Sequence, residues 1–257
     1  MEKIQAEYDE KSLIRKEEMQ LLWGEDHLPP DSLVDYWHKT LKTWLDEYVN
    51  GVKKLPLHDR LLKTSYEYAK SDFCLGIIEV KKGEITRLAV GNDDTGDEIL
   101  VIPLSRKEQD EVAVWMCCPI SKYSVPATMW EFYGRTKMEE PIVLQAWNLV
   151  PIKEEELLKI GRIPEIENNA AEYTVTDDTI DMVLHSFERM STHQYQDIPM
   201  TEVGPRVFRT NDPRLRYQRE ERNKFKAIIY AANAKEKEEN LKSELSGVEA
   251  QEHIKEN

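Results

Sequence analysis

Apolar positions recur every three or four residues after Pro29-Pro30, which is the period of an α-helix. Asp31 or Ser32 can cap the free backbone N–H groups at its start, and Gly51 is placed to end it. The apolar stripe consists of Val34, Trp37, Leu41, Trp44, Tyr48 and Val52. An exposed aromatic patch of that size is rare, so we expect the tryptophans to be buried.

Short runs rich in Ile, Val and Leu follow, separated by polar turns, and these predict strands. The runs are Cys74 to Val80, Glu84 to Val90, Glu98 to Leu104, Glu111 to Cys118 and Ile142 to Val150. The third run is apolar on both faces and should be central, and the fourth alternates with a period of two. Together they predict an antiparallel sheet of about five strands, or alternatively a small curled barrel.

Further helices are predicted at both ends of the chain and around the sheet. They are Glu2 to Trp23, Leu57 to Lys70, a short helix after Pro126 that contains Met129, Trp130 and Phe132, Lys153 to Ile160, a helix capped by Asp177 or Asp178, and one from Asp212-Pro213 to Ala234. Asp is a good cap and Pro is tolerated at the first helical position, so the sequence clearly predicts the start of the last helix at Asp212-Pro213.

These patterns predict an α+β fold. We expect a helical N-terminal segment over 1–56, an α+β core with the sheet over 57–176, a helical C-terminal region over 177–234, and a flexible charged tail over 235–257.

Composition narrows the class of protein. Six Trp and eleven Tyr argue against global disorder, and three Cys are too few for a disulfide framework. No apolar run approaches the length of a membrane span, and the N-terminus lacks the order of a secretory signal. We therefore expect a cytoplasmic protein without a membrane partner, whose oligomeric state is left open.

The charge is unevenly distributed. The chain has a net charge of −14, yet the window from Pro205 to Lys226 holds eight basic residues and only three acidic ones. The candidate binding residues are Arg206, Arg209, Arg214, Arg216, Arg219, Arg222 and Lys226. At helical spacing, Arg216, Arg219, Arg222 and Lys226 fall on one side, and Tyr217, Phe225 and Ile228 on another. Such a row suits phosphates or an acidic protein surface, although it is equally typical of a solvated helix face paired with nearby carboxylates.

Acidic residues concentrate on one loop of the predicted sheet, formed by Asp93, Asp94, Asp97 and Glu98. Carboxylates at the spacing of phosphates can occupy a DNA-binding channel, whereas ordinary solubilising charge gives the same pattern.

Motifs for catalysis and metal binding are weak. Asp94-Thr95-Gly96 matches the tripeptide of aspartic proteases but follows a polar turn, and the loop lacks the ligand pattern of a calcium site. No Cys-x-x-Cys or His-x-x-x-His spacing occurs, so we expect no metal and no cofactor. Cys117-Cys118 lie in a predicted strand, where burial is the favoured interpretation over a nucleophile.

The sequence therefore predicts a non-enzymatic, acidic regulatory protein that binds a nucleic-acid-handling machine. By analogy with small acidic inhibitors encoded by bacterial viruses, inhibition of host transcription or replication by mimicry of DNA is one form of this hypothesis. The alternatives are direct DNA or RNA binding through the Arg-rich helix, and a cysteine-dependent enzyme.

Overall fold

The computed structural model describes residues 31–51, 74–76, 79–89, 98–109, 111–128, 130–164, 173–191 and 212–230. The predicted helices Glu2 to Trp23 and Leu57 to Lys70 and the tail over 235–257 lie outside these residues, as does most of the predicted acidic loop.

Four α-helices occur within the described part of the chain, at the places that the sequence predicts. They are α1 (Asp31–Asn50), α2 (Glu154–Ile160), α3 (Asp177–Ser191) and α4 (residues 213–230). Asp212 caps α4 as expected, since its Oδ1 accepts a hydrogen bond from the Arg214 backbone N–H at 2.9 Å. At α3 the cap is Thr176, whose Oγ1 accepts from the Thr179 N–H at 3.3 Å, rather than either aspartate.

In the described ranges, eight strands form two antiparallel sheets. They are β1 (Cys74–Gly76), β2 (Thr86–Ala89), β3 (Glu98–Gln109), β4 (Val112–Pro119), β5 (Glu131–Arg135), β6 (Pro141–Gln145), β7 (Val150–Lys153) and β8 (Gly161–Pro164). The larger sheet has the order β1-β8-β2-β3-β4-β7, and β5 pairs with β6 in a separate hairpin. An isolated bridge between Ile120, which directly follows β4, and Leu144 on β6 connects the hairpin with the larger sheet.

The α+β class is therefore confirmed. The alternative of a curled barrel is wrong, because the described strands leave the larger sheet open with β1 and β7 at its edges. The central position predicted for the third run is confirmed, since β3 pairs with β2 on one side and with β4 on the other.

Two local predictions after residue 125 are wrong. The described residues of the predicted short helix form bends and a turn followed by β5, and Met129 lies outside them; from Phe132 onward, burial in β5 alternates with the two-residue period of a strand. The predicted strand Ile142 to Val150 is divided, because a 3₁₀ turn over Ala146–Asn148 carries the chain from β6 to β7 in the other sheet. Strand β8 was not predicted at all.

The buried residues that the structure describes form three clusters, two of them mainly aliphatic. One face of the sheet packs against the hairpin and α3; we call this the aliphatic core, and its members include Ile85, Leu100, Ile102, Leu144 and Ile180. The opposite face packs against α2 and α4 and includes Leu88, Val101, Trp115, Leu157 and Phe225.

The third cluster joins α1 and α4 to the loop that follows β4. We call it the aromatic layer, and its members include Trp37, Trp44, Tyr123, Trp147 and Tyr217. Trp37 and Trp44 are fully buried, as predicted, because the apolar stripe of α1 faces this layer.

Candidate functional site

Helix α4 divides cleanly into a buried side and a charged side. Tyr217, Phe225 and Ile228 are buried against the body of the protein. Three basic residues spaced at i, i+3 and i+7 are exposed together and form what we call the cationic face: Arg219, Arg222 and Lys226. The helix therefore docks by its apolar side and presents guanidinium and ammonium groups outward.

The remaining predicted cations lie elsewhere. Arg214 is fully buried and forms an ion pair with Asp212, with its Nε 2.9 Å from Oδ1, so the expectation that it adds to the exposed row is wrong. Arg216 is exposed, but its Nε donates to Glu220 Oε1 at 2.7 Å. Arg206 and Arg209 lie outside the described residues.

The acidic residues of α4 pair locally or toward the body. Besides Arg216, Glu220 accepts a hydrogen bond from the Tyr48 hydroxyl at 3.0 Å. Glu221 accepts from Gln145 Nε2 at 3.2 Å and lies 3.9 Å from Lys122 Nζ. Within the described part of α4, the carboxylates therefore bond to groups other than the three cations of the cationic face.

Arg222 is held in position by the aromatic layer. Its guanidinium stacks over the Trp147 ring, with Cζ 5.4 Å from the ring centroid, and donates to the Trp147 backbone carbonyl at 3.3 Å. A cation fixed in this way loses less conformational entropy when it binds a carboxylate or phosphate.

Two apolar side chains flank the cationic face. Leu215 is 39% exposed near the start of α4, and Tyr230 is 69% exposed at its described end. Their positions, one helical turn from Arg219 and from Lys226, give a partner apolar contact at both ends of the charged row.

The predicted acidic surface is only partly visible. Asp93, Asp94 and Asp97 lie outside the described residues, and Glu98 is described as the first backbone position of β3.

A buried polar network lies beneath α4, centred on Glu131 at the start of β5. The Glu131 side chain has no exposed surface, and it accepts hydrogen bonds from three donors. These are the Ala127 backbone N–H at 2.6 Å, Trp147 Nε1 at 2.9 Å and the Tyr217 hydroxyl at 2.9 Å. Burial raises the pKa of Glu131 to about 7, despite the three donors, which favour the charged form.

The network extends from Glu131 through neighbouring polar side chains, which we include in the name Glu131 network. Gln145 Nε2 donates to the Tyr217 hydroxyl at 2.9 Å, and Ser121 Oγ lies 3.3 Å from the same hydroxyl. Burial raises the pKa of Tyr217 well above its usual range, so this phenol remains a neutral donor. Our sequence reasoning missed this site, although a Glu between Trp130 and Phe132 was an available signal.

Both strand cysteines are buried, as predicted. Cys117 faces the side of the sheet that packs on α2 and α4, and Cys118 faces the aliphatic core. Burial raises the pKa of each thiol, which opposes formation of the thiolate that a nucleophile requires.

The described ranges contain no group of three or more His, Cys, Asp or Glu placed to hold a metal ion. No helix among the described residues combines the length and the apolar character needed to cross a bilayer.

Comparison of the chain with protein-family models, with curated proteins and with solved structures finds no match.

Proposed function

We propose that this protein is a non-enzymatic binding protein that docks through the cationic face of α4 onto an acidic surface of a macromolecular partner. A protein component of a nucleic-acid-handling machine is the partner class that we propose, and an acidic surface on it would complement the cationic face. The observation that carries the proposal is the joint exposure of Arg219, Arg222 and Lys226 on a helix whose other side is buried.

One further observation supports a protein surface rather than a nucleic acid. Leu215 and Tyr230 add apolar contact area beside the cations, and partly apolar contact is characteristic of protein interfaces.

The regulatory part of the proposal concerns the rest of the chain, which carries the excess of acidic residues. Once docked, a strongly acidic protein can compete with DNA or RNA for cationic channels of its partner. Inhibition of transcription or replication is the specific form of that proposal.

The test measures binding of the full chain to three probes: a Glu-rich peptide with interspersed leucines, a single-stranded oligonucleotide and a duplex oligonucleotide. We compare the native chain with the variant Arg219→Glu/Arg222→Glu/Lys226→Glu. The control is Lys39→Glu/Lys107→Glu/Lys137→Glu, which makes the same change in net charge at exposed positions on other elements.

We expect the native chain and the control to bind the peptide, and the α4 variant to lose at least about tenfold in affinity, since each charge pair at a rim contributes on the order of 0.5 kcal/mol. Equal loss in both variants would show that only net charge matters and would overturn the proposal. Tighter binding to an oligonucleotide, with a steep loss of affinity as salt increases, would replace it with direct nucleic-acid binding.

A further inference from the structure

We propose that protonation of Glu131 controls how firmly α4, and with it the cationic face, is held on the body of the protein. The inference deepens the proposed function, since it assigns a regulation to the surface on which that function rests.

The geometry places Glu131 where several elements meet. Its Oε2 accepts from the loop before β5 at Ala127, and its Oε1 accepts both from Trp147 in the 3₁₀ turn and from Tyr217 on α4. Glu131 also lies opposite Gln145 on β6, and Gln145 bonds two residues of α4, Tyr217 and Glu221. A change at this carboxylate therefore acts directly on the contacts that dock the helix.

The titratable groups around Glu131 are acidic or neutral, apart from Lys122. Those of the neighbouring elements are Tyr217, Glu220 and Glu221 on α4, Tyr123 and Lys122 on the loop after β4, Cys118 on β4, and Glu47 and Tyr48 on α1. The nearby cations are directed elsewhere, Lys122 toward Glu221 and Arg222 toward Trp147. None of the described cations pairs with Glu131, and within the described residues its ionised form is compensated by the three hydrogen bonds.

The pKa of Glu131 is raised to about 7 in the folded protein, first by burial and also by the charge of Glu221. An exposed glutamate has a pKa of about 4.3, so the docked state binds the proton more tightly than a state in which Glu131 meets water. The resulting stabilisation of docking is fully present below the exposed value and is lost as pH rises through about 7.

The network can accommodate either protonation state by turning one hydroxyl. When Glu131 is ionised, the Tyr217 hydroxyl donates to it and accepts from Gln145. When Glu131 is neutral, its own O–H can donate to Tyr217, whose hydroxyl then donates to Ser121 Oγ, 3.3 Å away. The charged form thus depends on Tyr217 as a donor, and the neutral form on Ser121 as an acceptor.

Two paths connect this network with the cationic face. Tyr217 is part of α4 itself, less than one turn before Arg219. Trp147 bonds Glu131 through its indole N–H while its ring and carbonyl hold Arg222. Weaker docking at higher pH therefore loosens the positions of the cations as well.

The first experiment measures hydrogen exchange of the α4 amides between pH 5 and 8, corrected for intrinsic rates, in the native chain and in Glu131→Gln. In the native chain we expect protection of α4 to fall on the order of 100-fold over this range, because that is the change in the docking equilibrium between pH 5 and 8 for a carboxyl with a pKa of about 7 when docked and about 4.3 when exposed. The neutral variant should start with lower protection, since its amide supplies one acceptor fewer, and should show no such fall.

The amides of α3, which packs on the aliphatic core, provide the internal control. An equal fall in both proteins, or in α3, would overturn the proposal.

The second experiment remains decisive if Glu131→Gln does not fold. The ¹³C carboxyl shift of Glu131 is titrated in the native chain and in variants that remove one hydroxyl. Tyr217→Phe removes a donor to the charged form and should raise the pKa of Glu131, whereas Ser121→Ala removes the acceptor of the neutral form and should lower it. Ser186→Ala on α3, which removes a hydroxyl bonded to Met182, should change nothing. A native titration near 4.3, or the absence of opposite shifts, would refute the mechanism.

Neither measurement uses a binding partner. If exchange of α4 depends on pH as expected but the Glu-rich peptide does not bind, the proposed function fails and the control of docking by Glu131 stands.

Discussion

The aliphatic core and the aromatic layer are both buried, but they are held together by different interactions. Residues such as Leu100 and Ile102 in the aliphatic core contribute apolar contact without a required orientation. In the aromatic layer, rings meet at defined angles, as in the edge-on contact of Trp44 and Tyr217 with centroids 5.4 Å apart. The second region therefore depends on orientation as well as on area.

Buried polar groups further distinguish the aromatic layer from the aliphatic core. Glu131 and Glu47 are buried beside the aromatic layer, and each accepts several hydrogen bonds. Burying a carboxylate is costly unless donors compensate it, so the donors to Glu131 and Glu47 contribute to holding this region together. The comparison teaches that α1 is placed by the aromatic layer, whereas α4 is placed both by this layer through Tyr217 and by the sheet through Phe225.

We expect the largest effect on stability from a truncation in the aliphatic core. Ile102→Ala removes a fully buried side chain and should lower the free energy of unfolding by about 2 to 5 kcal/mol through lost transfer energy and a cavity. Urea denaturation followed by tryptophan fluorescence measures it. Val112→Ala, a truncation at an exposed position of β4, should change stability by less than about 0.5 kcal/mol. A similar result for the two variants would contradict the assignment of the core.

We expect a smaller loss of stability from a change at Glu47, which is a hydrogen-bond acceptor beside the aromatic layer. Glu47 accepts from the backbone N–H of Ser124 at 2.8 Å and also from its hydroxyl. Glu47→Ala leaves these donors without their carboxylate and should cost about 2 kcal/mol. The neighbouring exposed residue on α1 gives a control with the same charge change, Asp46→Ala, which we expect to stay within about 0.5 kcal/mol of the native chain in the same denaturation assay. Equal effects would show that charge, and not the buried hydrogen bonds, determines the result.

The smallest of these effects concerns the contact of α3 with the hairpin. A Cβ at Gly134 would lie 2.6 Å from Thr179 Cγ2 and 2.8 Å from Leu144 Cδ1, closer than real Cβ contacts. Gly134→Ala should therefore lower stability by about 1 to 2 kcal/mol, partly offset because side-chain ends can shift. Combining it with Thr179→Ser, which removes the nearer methyl, should restore part of the loss in thermal denaturation. A double variant no more stable than Gly134→Ala would exclude this steric cause.

Sequence reasoning succeeded where a local period was long and unambiguous. The stripe of α1 and the Asp212-Pro213 start of α4 predict their helices because a single face must be buried and a single residue can cap. It failed for β5, because Trp130 and Phe132 are compatible with the period of a helix and with that of a strand. Pairing with β6 makes this segment a strand. It also failed between β6 and β7, since an apolar run does not show where the chain changes sheets.

The candidate site likewise has one part that the sequence predicts and another that depends on tertiary packing. Periodicity along one helix places Arg219, Arg222 and Lys226 together, because residues three and four apart share a face whatever surrounds them. Burial of Arg214, and the meeting of Glu131 with Tyr217 from 86 residues further along the chain, depend on which elements pack together. Local order thus follows from backbone geometry and side-chain spacing, whereas the charge state of a buried carboxylate is set by distant groups that only the folded chain brings within bonding distance.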